Sequence, residues 1–183
     1  MRYIISDLHL GHKNIIKYCN RPFSSVEEMD NTIITNWNMT VRKDDEVYFL
    51  GDFCFGRPGQ KVSREYREKL NGKIHLILGN HDKYIDKSCF ESVQNYLILN
   101  ENDKKILLYH YPIHREDFVT HRKNIPNYDI CFYGHVHNHD NQREDLTHRN
   151  MSIEKLNYVP LNFDYSLSCV ENEIKIKNDL TLL

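Results

Sequence analysis

Along the chain, short apolar runs end repeatedly in polar clusters. Arg2–Ser6 (RYIIS) leads into Asp7 and His9, and Glu46–Leu50 (EVYFL) leads into Gly51-Asp52. Lys73–Leu78 (KIHLIL) leads into Gly79-Asn80-His81-Asp82. Lys105–Tyr109 (KILLY) leads into His110, and Ile130–Tyr133 (ICFY) into Gly134-His135-Val136-His137. The runs are short and rich in β-branched and aromatic residues, which predicts buried strands. In open α/β sheets ligands bind beyond the strand ends, so the polar clusters are expected to gather on one edge.

Between the strands the period changes. Ser25-Val26-Glu27-Glu28 is a capping-box signature. After it, Val26, Met29, Ile33 and Trp37 recur at three- and four-residue spacing and give a helix one apolar face. A second helix is expected from about Ser63 to Leu70, stopped by Asn71-Gly72. Its Arg64, Glu65, Arg67, Glu68 and Lys69 mix both signs, as a solvated face does. Asn100–Lys104 reads as the turn joining Tyr96–Leu99 to Lys105–Tyr109. Tyr158–Tyr165 and Glu173–Lys177 read as two more strands. Strands alternate with helices early and dominate later, which predicts a mixed sheet or two packed sheets.

Composition narrows the class. With 183 residues, 40% of them hydrophobic, the chain can bury a core of its own. One domain over residues 1–183 is expected. A net charge of −2 argues against binding long nucleic acid, which needs a strong basic field. No apolar run approaches a membrane span, and MRYIISDLHL lacks the core of a signal peptide. Cys19, Cys54, Cys89, Cys131 and Cys169 are odd in number and form no CxxC pair. Free thiols and a cytoplasmic location are expected, with Cys54 and Cys131 buried.

Eleven histidines exceed what packing needs. The strand-exit set of Asp7, His9, Asp52, Asn80, His110, His135 and His137 offers imidazole nitrogens, carboxylate oxygens and one amide oxygen. All suit borderline divalent metals. Seven ligands are too many for one tetrahedral ion and suit two ions that share a carboxylate, ~3.5–4 Å apart.

These five blocks, in this order, resemble the calcineurin-like metallophosphoesterase superfamily. The resemblance spans Asp7 to His137, and GNHD with four companion blocks is a specific signal. It implies an α/β fold, a four-layer α-β-β-α sandwich of two packed mixed sheets flanked by helices. Carried onto this sequence, it implies that Asp7, His9 and His137 hold one metal and Asn80, His110 and His135 the other, with Asp52 bridging. A metal-bridging hydroxide would attack phosphorus. His81 would act as general acid, and Asp82 would hold its imidazole. Mn²⁺ is the first expectation, with Fe, Zn, Ni, Co or Mg as alternatives.

Serine/threonine phosphatases and diadenosine tetraphosphate hydrolases of that superfamily carry GDxVDRG in the second block, where this chain has GDFCFGRPG. The pattern is closer to compact bacterial, archaeal and phage phosphodiesterases, and DLHLGHKNIIKYCNRPF followed by the Ser25–Trp37 helix resembles small members of that group, which implies a helical insertion after the first strand, at about residues 12–42. The expected substrate is a small phosphodiester, nucleotide-like or cyclic. A phosphomonoesterase with the same site and a non-catalytic interaction module of the same fold are the alternatives. Oligomeric state stays open. His12, Arg57 and His114 are candidate substrate contacts. His75, His121, His139 and His148 read as packing or loop residues, and Lys13, Lys17 and Arg21 as solvating a helix.

Overall fold

The computed structural model describes residues 1–56, 62–114, 118, 120–121, 124–139 and 146–181. All five runs form strands: β1 (Arg2–Ile5), β2 (Glu46–Phe49), β3 (Lys73–Ile77), β6 (Lys104–Tyr109) and β7 (Ile130–Tyr133). β4 (Ser92–Gln94), β5 (Tyr96–Glu101), β8 (His148–Asn150) and β9 (Leu161–Asn162) complete two sheets. The first has the order β4-β3-β2-β1-β9 and the second β5-β6-β7-β8. β1 to β4 run parallel and β9 antiparallel to β1; β6, β7 and β8 run parallel and β5 antiparallel to β6. Both sheets are therefore mixed, and the fold is α/β.

Successive strand residues feed different cores. Tyr3 and Ile5 of β1, with Val47 and Phe49 of β2, face a core completed by Met29, Ile33 and Trp37. Ile4 and Tyr48 face the other way, into a core shared with Ile106, Leu108, Ile130 and Phe132 of the second sheet. Leu107, Tyr109, Cys131 and Tyr133 form a third layer, covered by Tyr111, Ile125 and Tyr128. Strands buried on both faces read as continuous apolar runs, and the sequence has that pattern.

Between β1 and β2 lie α1 (Ile15–Tyr18) and α2 (Val26–Thr40). Ser25 caps α2, its hydroxyl accepting from the Glu28 N–H, while Glu28 Oε2 accepts from the Ser24 N–H. The predicted face is the buried one: Met29, Ile33 and Trp37 are enclosed, and Trp37 Nε1 donates to Asn71 O (2.9 Å). α3 (Val62–Arg67) overlaps the second predicted helix, starting one residue before Ser63 and ending three before Leu70. The β5–β6 turn tightens to Asn102-Asp103, both at positive φ, as a two-residue hairpin turn requires.

The C-terminal expectation fails. Glu173–Lys177 is not a strand but part of α4 (Phe163–Thr181), and of Tyr158–Tyr165 just Leu161–Asn162 is extended. The alternation in EIKIK hid a longer period. Phe163, Leu167, Val170 and Ile174 follow at helical spacing and pack into the intersheet core. The α/β rule of sheet-edge sites still holds, because β1, β2, β3, β6 and β7 all deliver their exit loops to one place.

Trp37→Ala is expected to remove about 3–5 kcal/mol of stability, whereas Met39→Ala, 82% exposed on the same helix, leaves it nearly unchanged. Urea denaturation of both variants checks this; equal midpoints would contradict the packing assigned to α2.

Candidate metal centre

The chain leaves each strand through a sharp turn. Asp7, His9, Asp52, His135 and His137 all have positive φ, between 51° and 75°. Side chains rarely adopt this conformation without surrounding support, and such residues cluster at functional sites. Gly51 shows how tight the support is: a Cβ there would meet Gly79 N at 2.6 Å and His110 Nδ1 at 2.7 Å.

Two groups of metal-ligating atoms result. Those of Asp7, His9 and His137 lie within 4.8 Å of one another, and so do those of Asp52, His110 and His135. Asn80 joins the second group, its Oδ1 3.0 Å from His110 Nε2, which lies 3.1 Å from His135 Nδ1. Asp52 Oδ2 stands between the groups, 3.4 Å from His9 Nε2 and 3.5 Å from His110 Nε2. The site therefore brings all seven predicted ligands together.

The other atoms of these residues are anchored. Asp7 Oδ2 accepts from Ser152 Oγ (2.9 Å) and the His135 N–H (3.0 Å). His110 Nδ1 lies 2.8 Å from Leu50 O. Asp52 Oδ1 accepts from the His81 N–H (2.9 Å). His9 Nε2, by contrast, is buried without a hydrogen-bond partner among the described residues. A buried lone nitrogen facing a carboxylate at 3.4 Å is a donor set that fits a cation.

Electrostatics agree with that fit. Burial, with Asp7 and Asp82 nearby, pushes the Asp52 carboxyl up to about 6, against the pull of His110. Burial and then His137 hold His9 well below the usual imidazole range, and burial and then His110 lower His135 to about 4. Both rings thus keep a free lone pair at neutral pH. His137 goes the other way: burial opposes its charged form, but Cys19, Glu154 and Asp7 push it up to about 11.

His81 is exposed, its ring 5.2 Å from that of His9 and 6.4 Å from that of His12. Asp82 does not take the predicted position behind His81. Its carboxylate instead accepts from the backbone N–H groups of Gly79, Asp52 and Phe53, at 2.8, 2.8 and 2.9 Å. It thereby ties the β2 exit to the β3 exit. His12 sits on the rim, stacked on Phe55 (4.6 Å, 9°) and 5.6 Å from His9. His114 packs elsewhere, against Tyr133 (5.1 Å) and His148 (4.4 Å). Arg57 lies outside the described residues. His121, expected to be bland, stacks on Tyr111 (4.0 Å), which in turn covers His110 and His135.

Sequence reasoning missed Glu154 and misjudged Arg21. Arg21 does not solvate a helix; its guanidinium is buried against Glu154, Asp7 O and Leu8 O. Glu154 Oε1 lies 2.9 Å from His137 Nδ1. No local pattern marks either residue, because their partners are distant in sequence.

Residues 1–153 match the model of the calcineurin-like phosphoesterase superfamily domain. The uncharacterized protein MJ1445 of Methanocaldococcus jannaschii is 38% identical over 190 residues, 97% of each chain. The crystal structure of AQ665 from Aquifex aeolicus, a protein of unknown function, is 30% identical and superposes with a TM-score of 0.66, covering 88% of this chain and 94% of that one. The Gene 66 protein of Mycobacterium phage L5 is 41% identical over 81 residues, 44% of this chain and 39% of its own length. Every strand exit that meets at Asp52 falls inside the matched span, and the chain belongs to the calcineurin-like phosphoesterase superfamily.

Proposed function

We propose that this chain is a metal-dependent phosphoesterase with a dinuclear centre, acting on a small phosphodiester. The observation that carries the reading is the position of Asp52 Oδ2 between two imidazole groups, at 3.4 Å and 3.5 Å. One carboxylate facing two ligand clusters suits a shared ligand. Asp7, His9 and His137 would hold one ion, and Asn80, His110 and His135 the other. Two divalent ions there would make water a nucleophile near neutral pH and draw charge from a phosphoryl oxygen. Mn²⁺ suits the mixed carboxylate and imidazole set.

The protein's own groups do the rest. His81 stands exposed above His9, its backbone fixed to Asp52, and donates a hydrogen bond or proton to the leaving oxygen. Asp82 keeps the two loops that carry Asp52 and His81 together. His12, stacked on Phe55, which is 44% exposed, gives an ester substituent a face to pack on. No helix among the described residues is long and apolar enough to cross a membrane, and the cysteines are free. A cytoplasmic enzyme fits both observations.

A panel of chromogenic phosphodiesters and monoesters, run with added Mn²⁺, Zn²⁺, Mg²⁺, Co²⁺ and Ni²⁺, is expected to show metal-dependent cleavage with diesters favoured. Cleavage of none of them with any ion would reject the enzyme reading and leave the interaction module. His81→Ala should keep both ions yet lose roughly 10²–10⁴ in rate. Loss of an ion in that variant, measured by elemental analysis, would contradict the role given to His81.

Metal binding should also release protons. At neutral pH a metal must displace the proton of His137, held up to about 11, and below about pH 6 that of Asp52 as well. Affinity is therefore expected to rise with pH and to fall steeply below about 6. Calorimetry in buffers of different ionisation heat checks this: a binding heat independent of buffer would contradict it.

A further inference from the structure

Between α1 and α2, in the segment that joins β1 to β2, stands a side chain that the reaction does not use. Arg21 Nη1 donates to Leu8 O and Nη2 to Asp7 O, both at 2.8 Å, and Nε donates to Glu154 Oε1, also at 2.8 Å. Its guanidinium is fully enclosed, and the Glu154 carboxylate is 4% exposed. The two carbonyls belong to the turn that presents Asp7 and His9. Glu154 lies on the single turn Ile153–Leu156 that follows β8, and its Oε1 meets His137 Nδ1 at 2.9 Å. A second tie runs beside it, from Asn138 Nδ2 to Cys19 O (2.7 Å). One buried cation thus joins that segment, the β1 exit and the β7 exit.

Buried ions are expensive unless paired and fully hydrogen-bonded, so this pair needs a purpose beyond stability. Its geometry supplies one. With Nδ1 bonded to Glu154, the free nitrogen of His137 is Nε2, and that atom faces Asp7 Oδ1 at 3.9 Å. A carboxylate behind a ligating imidazole fixes its ring, its tautomer and its basicity. In the second cluster His110 Nδ1 instead faces the neutral carbonyl of Leu50 (2.8 Å).

We propose that Glu154 and Arg21 are positioning residues for the Asp7–His9–His137 cluster. Glu154 aims His137 Nε2 into the site, and Arg21 holds Glu154 in place while clamping the turn that carries Asp7 and His9. The proposal rests on the metal-site reading above. Cys19, His137 and Glu154 also form a group within 4.8 Å that could itself take an ion. The guanidinium 2.7 Å from Glu154 opposes a second cation there, whereas the Glu154 carboxylate, 2.9 Å from His137 Nδ1, favours a proton on that nitrogen.

Glu154→Gln keeps the shape and removes the charge. Calorimetric titration with Mn²⁺ is expected to show the affinity for one ion reduced about 10–100-fold and the other unchanged. Arg21→Lys should weaken the same ion. Wild-type affinities for both ions in Glu154→Gln would overturn the proposal, and so would equal weakening of both, the mark of a merely structural role. Loss of a whole third ion would assign Glu154 as a ligand and also overturn it. A metal-independent readout separates this proposal from the reading beneath it. In the metal-free wild type, NMR should show a slowly exchanging, downfield Nδ1 proton of His137 that shifts or vanishes in Glu154→Gln. If the wild type binds none of Mn²⁺, Zn²⁺, Mg²⁺, Co²⁺ and Ni²⁺, the metal reading falls, yet the presence of that proton still supports the His137–Glu154 couple and its absence overturns it.

Discussion

Asp7, Asp52 and Asp82 are buried at the meeting point of two sheets, and much of the local structure answers that concentration of negative charge. Asp82 is satisfied by three backbone N–H groups and Asp7 by one hydroxyl and one N–H. Asp52 is the exception. One of its oxygens accepts from the His81 N–H, and the other faces imidazole nitrogens on both sides. Burial raises its pKa to about 6, so the free protein holds this carboxylate with difficulty near neutral pH. A pair of cations sharing that carboxylate would remove the difficulty.

Meeting that demand shapes the backbone. Asp7, His9, Asp52, His135 and His137 take positive φ, and the turn at Gly51 approaches Gly79 and His110 too closely for any side chain. Such conformations persist where the surroundings over-determine them. Here the surroundings are the parallel strands β1, β2 and β3 on one side and β6 and β7 on the other, each buried on both faces. The rigid sheets stop at the turns, and the turns project the ligands. The segment between β1 and β2 adds a clamp through Arg21, which reaches Glu154 across 133 positions of sequence.

How much of this could be read in advance follows from the range of the interactions. The five exits were legible because each acid or imidazole directly follows an apolar run, and the run itself reports burial. The α2 face was legible because Met29, Ile33 and Trp37 repeat at the helical period. β4 and β8 were not, since SVQ and HRN are short and polar, and their pairing comes from neighbouring strands. α4 was misread because EIKIK alternates locally while Phe163, Leu167, Val170 and Ile174 set the longer period. Asp82 was placed behind His81 by resemblance, yet three nearby N–H groups compete for its carboxylate and take it. Glu154 and Arg21 carried no signal, because a buried ion pair is defined by what surrounds it.

The central claim is that Asp52 is shared between two metal ions. Anomalous diffraction from crystals soaked in Mn²⁺ tests it most directly. The account predicts two peaks, one beside Asp7, His9 and His137 and one beside Asn80, His110 and His135, with the Asp52 carboxylate in contact with both. A single peak, or two peaks with Asp52 touching one or neither, would contradict it.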